Sequence, residues 1–258
     1  MPSASSQAKI ADTDSMEIHV ITIFPEVFPP VLTVGIVGRA QRAGIATIFV
    51  HDLREHTHDR HRTVDDAPFG GGPGMVMRPE PLFEAMDSIA PAPGTPVVVL
   101  TPQGRPFNQR DAERLSAHES VVFICGRYEG IDERARTSLA TEELSIGDYV
   151  LTGGELPALV IIDSLIRLLP GAMGHGQEAI ADDSHTSGLL QYPQYTRPAE
   201  YRGKVVPDIL LSGDHAAISK WRRREALRRT LTRRNEMLSV IELSAADNKM
   251  LEELREES

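Results

Sequence analysis

Short apolar runs alternate with segments of helical composition over the first two-thirds of the chain. Three segments have helical composition, namely Val34–Ala43, Glu80–Ile89 and Asp132–Glu143. Five runs have the length and the β-branched content of strands, namely Glu17–Phe24, Ile45–Val50, Val97–Thr101, Val121–Cys125 and Leu144–Ile146. Strands that alternate with helices predict an α/β fold with a parallel sheet.

Two further helices are indicated by their ends or their composition. Asn108 is a candidate N-cap, with Asp111 three residues later and Phe107 placed as a hydrophobic staple. Leu156–Leu169 is apolar nearly all round, which predicts a buried helix. Its polar exceptions include Asp163 and Arg167, four positions apart and therefore on one side. They form either an ion pair within the helix or a contact with a second subunit or a substrate, because an unpaired buried charge is costly.

Three loops follow three of the apolar runs: Thr101–Pro106, Gly126–Gly130 and Gly147–Glu155. Each contains glycine, which lets a backbone approach a ligand that a side chain would block. Ligands of parallel α/β sheets collect at the carboxyl ends of the strands. A single glycine loop is most simply a turn, but three such loops together predict a small-molecule site.

The segment His51–Met77 is a long polar loop that contains His56, His58 and His61. The histidines suit either a metal site or a polar binding loop, and the loop is favoured because no flanking pattern fixes a tetrahedral geometry. Phe69–Gly74 (FGGGPG) lacks the Gly-Lys-Ser/Thr ending of a P-loop and the dinucleotide fingerprint. It could form a lid over an anionic ligand.

The chain carries a net charge of −10, yet its basic residues are concentrated near the C-terminus. A helix is predicted from Ser212 or Asp214 to about Arg234. Eight basic residues lie between Lys220 and Arg234, and Glu225 is the one acid among them. Such a run is either a solvated helix face or an electrostatic footprint for a phosphate backbone. A last amphipathic helix is predicted near residues 245–256.

The remaining composition limits the class of protein. Cys125 is the single cysteine, which excludes intramolecular disulfides and cysteine-rich zinc sites. The first fifteen residues lack the apolar core of a signal peptide, and no apolar run is long enough to span a membrane, so we expect a soluble cytoplasmic protein. The predicted organisation has four parts: a disordered tail at residues 1–15, a catalytic domain at 16–172, a linker at 173–188 and a helical domain at 189–258.

Five motifs resemble those of the bacterial tRNA (guanine-N1)-methyltransferase (TrmD) family, a member of the SPOUT class. They are THDRHRTVDD (Thr57–Asp66), GGGPGMVM (Gly70–Met77), CGRYEGIDER (Cys125–Arg134), SIGDYVLTGGELPA (Ser145–Ala158) and YTRP (Tyr195–Pro198). The resemblance implies methylation of N1 of guanine 37 in tRNA, beside the anticodon, by an enzyme that uses S-adenosylmethionine. It also implies a homodimer with its active site at the subunit interface, a deep trefoil knot in the sheet, and a requirement for Mg²⁺ at an unassigned site.

The same resemblance implies that the three loops bind S-adenosylmethionine, held in the knot mainly by backbone groups. The residues carried over by motif are Leu100, Thr101, Pro102, Gly126, Tyr128, Glu129, Ile146, Gly147, Asp148, Tyr149, Val150, Leu151, Gly153 and Gly154. Glu129 is the carboxylate of this set that lies in the GRYEG loop.

The chemistry of the implied reaction needs a base and a cation. Neutral guanine carries a proton on N1, which a general base must remove, and charge develops on O6. By motif the base is Asp183, with Asp182 as the lesser candidate, and the cation is Arg167. These residues are expected to act on cofactor bound mainly by the other subunit. Five basic residues of the C-terminal helix are expected to contact RNA: Lys220, Arg222, Arg223, Arg228 and Arg229.

Two other functions remain possible on sequence grounds alone. A ribose 2′-O-methyltransferase of the same fold class would deprotonate a hydroxyl and would not need Asp183 beside a purine. A non-enzymatic RNA-binding or antitermination protein would need only the basic helix. Methyl transfer to guanine N1 of unmodified tRNA distinguishes the three.

Overall fold

The structure is a computed structural model that describes residues 15–174 and 182–257. These residues form two compact units, one on each side of the gap. Of the predicted N-terminal tail only Ser15 is described, and residues 175–181 of the predicted linker also lie outside the described part.

The first unit contains a five-stranded parallel sheet. Its strands and two short extended segments are β1 (Met16–Thr22), β2 (Ala46–Asp52), β3 (Asp65–Asp66), β4 (Val76–Met77), β5 (Val97–Pro106), β6 (Ser120–Cys125) and β7 (Glu142–Ser145). The sheet order is β2-β1-β6-β5-β7, with every neighbouring pair parallel, and β3 pairs with β4 as a separate antiparallel ribbon. The predicted α/β class with a parallel sheet is therefore confirmed.

Helices cover both faces of this sheet. They are α1 (Pro29–Leu32), α2 (Gly35–Arg42), α3 (Pro79–Ile89), α4 (Gln109–Leu115), α5 (Glu133–Leu139) and α6 (Glu155–Ile166), with short 3-10 turns at Pro25–Val27 and Leu53–His56. One face of the sheet packs against α2, α4 and α6 around Phe123 and Ile161, and the other packs against α3 and α5 around Ile124 and Leu82. Apolar side chains point to both faces because both are buried, which explains the continuous apolar runs in the sequence.

The start of α4 follows the sequence prediction closely. The side chain of Asn108 accepts hydrogen bonds from the backbone of Arg110 and Asp111, and Asp111 accepts one from the backbone N–H of Asn108. This reciprocal capping box satisfies donors that a helix N-terminus otherwise leaves unpaired.

The predicted loop Thr101–Pro106 is instead part of β5. Both Leu100 and Arg105 pair with Leu144 of β7, so the residues between them bulge out of the ladder. Gly104 sits so close to β7 that a Cβ added to it would lie 2.5 Å from the backbone nitrogen of Leu144. The polar composition of the segment indicated a loop, whereas strand pairing resumes on the far side of the bulge.

Two helix predictions differ from the structure: one helix is shorter than predicted, and the other is not buried on all sides. The predicted helix Asp132–Glu143 is a seven-residue helix, α5, because Thr141 leaves the helix to pair with β5 and the chain enters β7. Helix α6 is not buried all round: Leu156 and Val160 are 56% and 51% exposed, and Asp163 on the same side is also exposed. Helical composition alone does not distinguish a buried face from an exposed apolar face.

The second unit is mainly helical. It contains a short hairpin of β8 (Glu200–Tyr201) and β9 (Lys204–Val205), helices α7 (His215–Arg233) and α8 (Ala245–Glu256), and 3-10 turns at Asp208–Leu211 and Asn235–Ser239. Asp214 caps α7 by accepting a hydrogen bond from Ala217, as the sequence indicated. Leu189, Leu227, Leu251 and Leu254 form the core between the two helices.

Nothing in the described residues suggests a membrane span. Within residues 15–174 and 182–257, no helix combines the length and the apolar character that crossing a bilayer requires.

Candidate active site

A cavity of about 340 Å³ lies beside the carboxyl ends of β5, β6 and β7 in the first unit. The bulge of β5, the loop after β6 and the loop after β7 form its walls. All three segments were selected from the sequence as glycine-bearing loops. The volume lies within the range of small-molecule and cofactor sites in proteins.

The cavity collects most of the residues that the family resemblance assigned to the cofactor. Twelve of the fourteen line it: Leu100, Thr101, Pro102, Gly126, Tyr128, Glu129, Ile146, Gly147, Tyr149, Val150, Leu151 and Gly153. Asp148 is exposed and Gly154 is buried, and neither lines the cavity. The rim is apolar, since Tyr128, Tyr149 and Val150 are all about half exposed or more.

Glycine at two of these positions lies in close contact with the backbone of a neighbouring segment. A Cβ at Gly126 would lie 3.3 Å from the carbonyl oxygen of Leu100 on the neighbouring strand. A Cβ at Gly154 would lie 2.7 Å from Cα of Cys125, and the Gly154 N–H donates to the Gly126 carbonyl at 2.9 Å. The start of α6 is thus pressed directly against the end of β6.

An ion pair joins the loop after β6 to the start of α6. Arg127 Nη2 lies 2.9 Å from Oε2 of Glu155, whose side chain is 2% exposed, and Arg127 Nη1 donates to the carbonyl of Thr152. Thr22 of β1 donates to the other carboxylate oxygen at 2.8 Å. The guanidinium also lies over the ring of Phe24, 4.5 Å from its centroid. A buried carboxylate needs such partners, so this network fixes the two walls relative to each other.

The glycine-rich segment at residues 69–74 reaches the same wall. A Cβ at Gly74 would lie 2.5 Å from Cγ of Glu129, and the Glu129 N–H donates to the carbonyl of Met75 at 2.9 Å. Met77 donates in turn to the carbonyl of Gly130. The adjacent Tyr128 has a positive φ of 58°, an unusual conformation for a residue with a side chain. Backbone of this kind is concentrated at functional sites.

Sequence reasoning missed several residues of the cavity. Arg136 and Glu133 on α5 line it, and Arg136 pairs with both Glu133 and Glu143 at 2.7 and 2.8 Å. These pairs raise the pKa of Arg136 and lower that of Glu133, so both groups stay charged. Their helical spacing resembled an ordinary surface ion pair, and only the fold brings them to the cavity.

Two side chains at the cavity have raised pKa values. Burial raises the pKa of the Cys125 thiol well above its usual range, so Cys125 is a neutral core group rather than a nucleophile. Burial also raises the pKa of Tyr128, with the charge of Asp65 as a smaller cause. Tyr128 therefore stays protonated and can donate a hydrogen bond at neutral pH.

The residues that the family resemblance assigns as base and cation lie in different units. Arg167 follows the last turn of α6 in the first unit and is half-buried. Asp183 is half-buried in the second unit, whereas its neighbour Asp182 is exposed and accepts a hydrogen bond from the Tyr192 hydroxyl at 3.2 Å.

A metal site at the histidines is not supported. The described residues contain no group of three or more His, Cys, Asp or Glu side chains that could hold a metal ion. His58 instead pairs with Glu84 at 2.8 Å on the surface, and His61 is exposed.

The five basic residues of α7 that were predicted to contact RNA differ in their surroundings. Arg223 makes two hydrogen bonds to Asp247, at 2.8 and 2.9 Å, and Arg228 pairs with Glu225 and Glu257. Lys220 and Arg222 are exposed. Arg229 donates to the carbonyl of Gln191 at 3.4 Å. Of the five predicted RNA contacts, Arg223 and Arg228 are therefore already neutralised by carboxylates of their own unit.

Comparison with known families gives a match over most of the chain. The family model described as "tRNA (Guanine-1)-methyltransferase TrmD" matches residues 16–240. This range includes every segment of the cavity and the whole of α7.

Individual relatives match over nearly their whole length. A protein of Dehalococcoides mccartyi is 52% identical over 242 residues, which cover 93% of this chain and 97% of the relative. A protein of a Geobacter species is 52% identical over 240 residues, covering 93% and 96%. A third, from Moorella thermoacetica, is 51% identical over 242 residues, also covering 93% and 96%. All three are named tRNA (guanine-N(1)-)-methyltransferase.

Proposed function

Because the chain belongs to the tRNA (Guanine-1)-methyltransferase TrmD family, it is a tRNA (guanine-N1)-methyltransferase, and we propose that it methylates guanine 37 with S-adenosylmethionine. Since its substrate is tRNA, we also propose a cytoplasmic location. The observation that carries the proposal is the convergence of twelve motif residues from three separate loops on one cavity.

The cavity suits a cofactor held largely by main-chain groups. Its walls bring together carbonyls and amides of the three loops, with glycine at 126, 147 and 153, and an apolar rim that can cover an adenosine. Bound there, S-adenosylmethionine supplies an electrophilic methyl group. The chain's own task is then to hold the guanine in line with that methyl group and to remove the N1 proton.

Asp183 is proposed to accept the N1 proton. Its carboxylate is the right type of base, because it has to take a proton from a weakly acidic ring nitrogen only as the methyl bond forms. Arg167 is proposed to donate hydrogen bonds to O6, where the ring's negative charge accumulates. A guanidinium suits this role because it stays charged and presents several donors in a plane.

A homodimer is supported by the exposed apolar side of α6. Leu156 and Val160 are each about half exposed, and they share that side of the helix with Asp163 and Arg167. A helix that leaves Leu and Val to solvent on one face is typical of a surface that another chain covers. In the proposed dimer, α6 brings Arg167 to the subunit interface, where Arg167 and Asp183 act on cofactor bound mainly by the other subunit.

The deep knot is also part of the proposal. It rests on the family to which the chain belongs. The bulge of β5, where Leu100 and Arg105 both pair with Leu144, places the residues between them in the wall of the cofactor cavity.

A requirement for Mg²⁺ is also part of the proposal, with its site unassigned. Mg²⁺ usually binds through one or two carboxylates and several water molecules, and the described residues hold no group of three His, Cys, Asp or Glu side chains that would single out one place for it. No step of the proposed mechanism is routed through the ion.

Methyl transfer to defined RNA tests the proposal. The full-length protein is incubated with isotopically labelled S-adenosylmethionine and two unmodified tRNA transcripts that differ only in having guanine or adenine at position 37. We expect label in N1-methylguanine from the first transcript and none from the second. Label in a ribose methyl group, or equal labelling of both transcripts, would contradict the proposed specificity.

A further inference from the structure

A second cavity, of about 390 Å³, lies wholly within the C-terminal unit. It is formed by the segment that follows Leu190, by the region after β9 and by one side of α7. Neither the cofactor loops nor the proposed base and cation belong to it. The cavity is large enough for a nucleoside, since small-molecule sites begin at about 300 Å³.

Two tyrosine rings and two guanidinium groups line this cavity, together with aliphatic side chains of the region after β9 and of α7. Arg222 stacks over the ring of Tyr192, with Cζ 4.9 Å from the ring centroid. Tyr195 also lines the cavity, and it is 48% exposed. The centroid of its ring lies 6.5 Å from that of Trp221. Aromatic rings and guanidinium planes are the surfaces on which unpaired bases stack.

Polar and charged groups accompany these planes. Gln194 and Thr196 line the cavity and offer amide and hydroxyl groups that can pair with the edge of a base. Arg197 and Arg222 are exposed at the same cavity, so their charges are available to a phosphate. In a chain of net charge −10, two arginines at one aromatic cavity favour an anionic ligand with flat rings.

We propose that this cavity binds an unpaired nucleobase of the RNA substrate, distinct from the guanine that is methylated. The base stacks on Tyr195, Gln194 and Thr196 contact its edge, and Arg197 and Arg222 neutralise the flanking phosphates. This inference rests on the proposed function, because it takes RNA as the ligand. In this way the C-terminal unit binds a single-stranded nucleotide in addition to attracting the phosphate backbone of the RNA electrostatically.

Trp221 makes the inference directly testable, because it is the single tryptophan of the chain and adjoins the cavity. Its fluorescence is followed while the full-length protein is titrated with an unmodified anticodon stem-loop or with heparin, a polyanion without bases. We expect the RNA to quench the emission and heparin to leave it nearly unchanged. Equal quenching by both, or by neither, would overturn the proposal.

Two substitutions at position 195 separate stacking from packing. Tyr195→Phe keeps the ring, whereas Tyr195→Leu keeps apolar bulk without it. We expect Tyr195→Phe to retain wild-type affinity and Tyr195→Leu to bind the stem-loop about tenfold more weakly, a typical effect for one lost stacking contact. Equal affinities for the two variants would count against a stacked base.

Tyr201→Leu is the matched control. Tyr201 is also exposed and has its own arginine, Arg202, 5.2 Å from its ring centroid, but it does not line the cavity. We expect this variant to keep wild-type affinity, and a tenfold loss would show that any exposed tyrosine contributes equally.

Methyl-transfer assays keep this inference separable from the proposed function. If the wild type fails to methylate tRNA, the proposed function is wrong. If the wild type methylates tRNA and Tyr195→Leu has the same KM for tRNA, only the nucleobase site is wrong. The expected result is a KM for tRNA about tenfold higher, with kcat changed little, because the cavity holds no group of the proposed chemistry.

Discussion

Arg127 and Glu155 lie 2.9 Å apart across the junction of two cofactor-cavity walls, and the glutamate is almost completely buried. Arg127 comes from the loop after β6, and Glu155 is the first residue of α6. Because Gly153 has no side chain, the guanidinium fits against the backbone there: a Cβ would lie 2.0 Å from Nε. The pair therefore holds the cavity in shape without being among the residues that the family motifs assign to the cofactor.

Removing Arg127 alone should be more damaging than removing both partners. Arg127→Met leaves the Glu155 carboxylate buried while Thr22 still donates to it, and breaking a buried pair costs about 3–5 kcal/mol of unfolding free energy. The double variant with Glu155→Gln removes the uncompensated charge and should recover part of this loss. Circular dichroism during denaturation and calorimetric titration with S-adenosylmethionine measure both effects. Strictly additive losses would contradict a coupled pair.

Gly154→Ala should weaken cofactor binding although Gly154 does not line the cavity. The added methyl group would lie 2.7 Å from Cα of Cys125, and the backbone must move to accommodate it. The displaced segment carries Gly153 and the end of the third loop. Gly174→Ala is the matched control, since a Cβ there meets nothing within 4 Å. Equal cofactor affinity in the two variants would contradict the packing role of Gly154.

Asp183→Asn should abolish most of the turnover and leave cofactor affinity unchanged. The amide keeps the shape of the side chain but cannot accept the N1 proton, and a lost general base typically costs about 10²–10⁴-fold in rate. Single-turnover methyl transfer and calorimetry measure the two properties. Asp182→Asn is the matched control, because Asp182 is exposed beside it and bonds Tyr192. If Asp182→Asn were the more damaging change, Asp182 would be the base.

Two partly buried histidines on the neighbouring strands β1 and β2 should make stability depend on pH. His19 Nδ1 and His51 Nε2 lie 3.0 Å apart, and burial lowers the pKa of both rings below 6.5. Since the folded pKa values are lowered, the unfolded chain binds protons more readily, and the stability present above pH 6.5 is lost as the pH falls below it.

Nuclear magnetic resonance titration of the ring protons tests this coupling. The charge of His19 contributes to lowering the pKa of His51, so His19→Gln should move the titration of His51 to higher pH. His215→Gln, an exposed position in the other unit, is the control and should leave His51 unchanged. An unaltered His51 titration in His19→Gln would show that the two rings do not interact.

Lys220 and Arg223 should respond differently to substitution although both lie on α7. Lys220→Ala should weaken tRNA binding. It should also reduce the slope of log affinity against log salt concentration by about one, which corresponds to one phosphate contact. Arg223→Ala should instead destabilise the C-terminal unit by about 1–3 kcal/mol, because it leaves the carboxylate of Asp247 without its cationic partner and with Ser244 as a remaining donor. Filter binding at several salt concentrations and Trp221 fluorescence during denaturation distinguish the two. A larger salt effect for Arg223 would reverse this assignment.

Acid sensitivity gives a second measure of the Arg223–Asp247 pair. Hydrogen bonds from Arg223 hold the pKa of Asp247 far below its usual 3.8. The resulting stabilisation is complete above about pH 4 and is lost as the pH falls below that value. In Asp247→Asn, the unfolding free energy of the C-terminal unit should therefore fall less steeply as the pH drops below about 4. The same pH dependence in the variant and the wild type would contradict the predicted linkage.

Local sequence determined the elements whose signals are local. The capping box at Asn108, the cap at Asp214, the α/β alternation and two of the three glycine loops depend on residues a few positions apart. Their hydrogen bonds and periodicities can therefore be predicted from the sequence without knowledge of the fold. The motifs also identified most of the cavity lining, because those residues lie in three continuous stretches.

Tertiary structure decided what depends on residues far apart in the chain. The strand pairing of Arg105 with Leu144, the exposure of Leu156 and Val160, and the partners of Arg223 could not be read from composition. Each of these features depends on which residue the fold places beside the side chain. The local sequence pattern around an apolar or basic residue is the same whether or not such a neighbour is present. The cofactor cavity depends on both kinds of information. The sequence located the segments that form its walls, and the contact between Arg127 and Glu155, which are 28 positions apart in the chain, joins two of those walls.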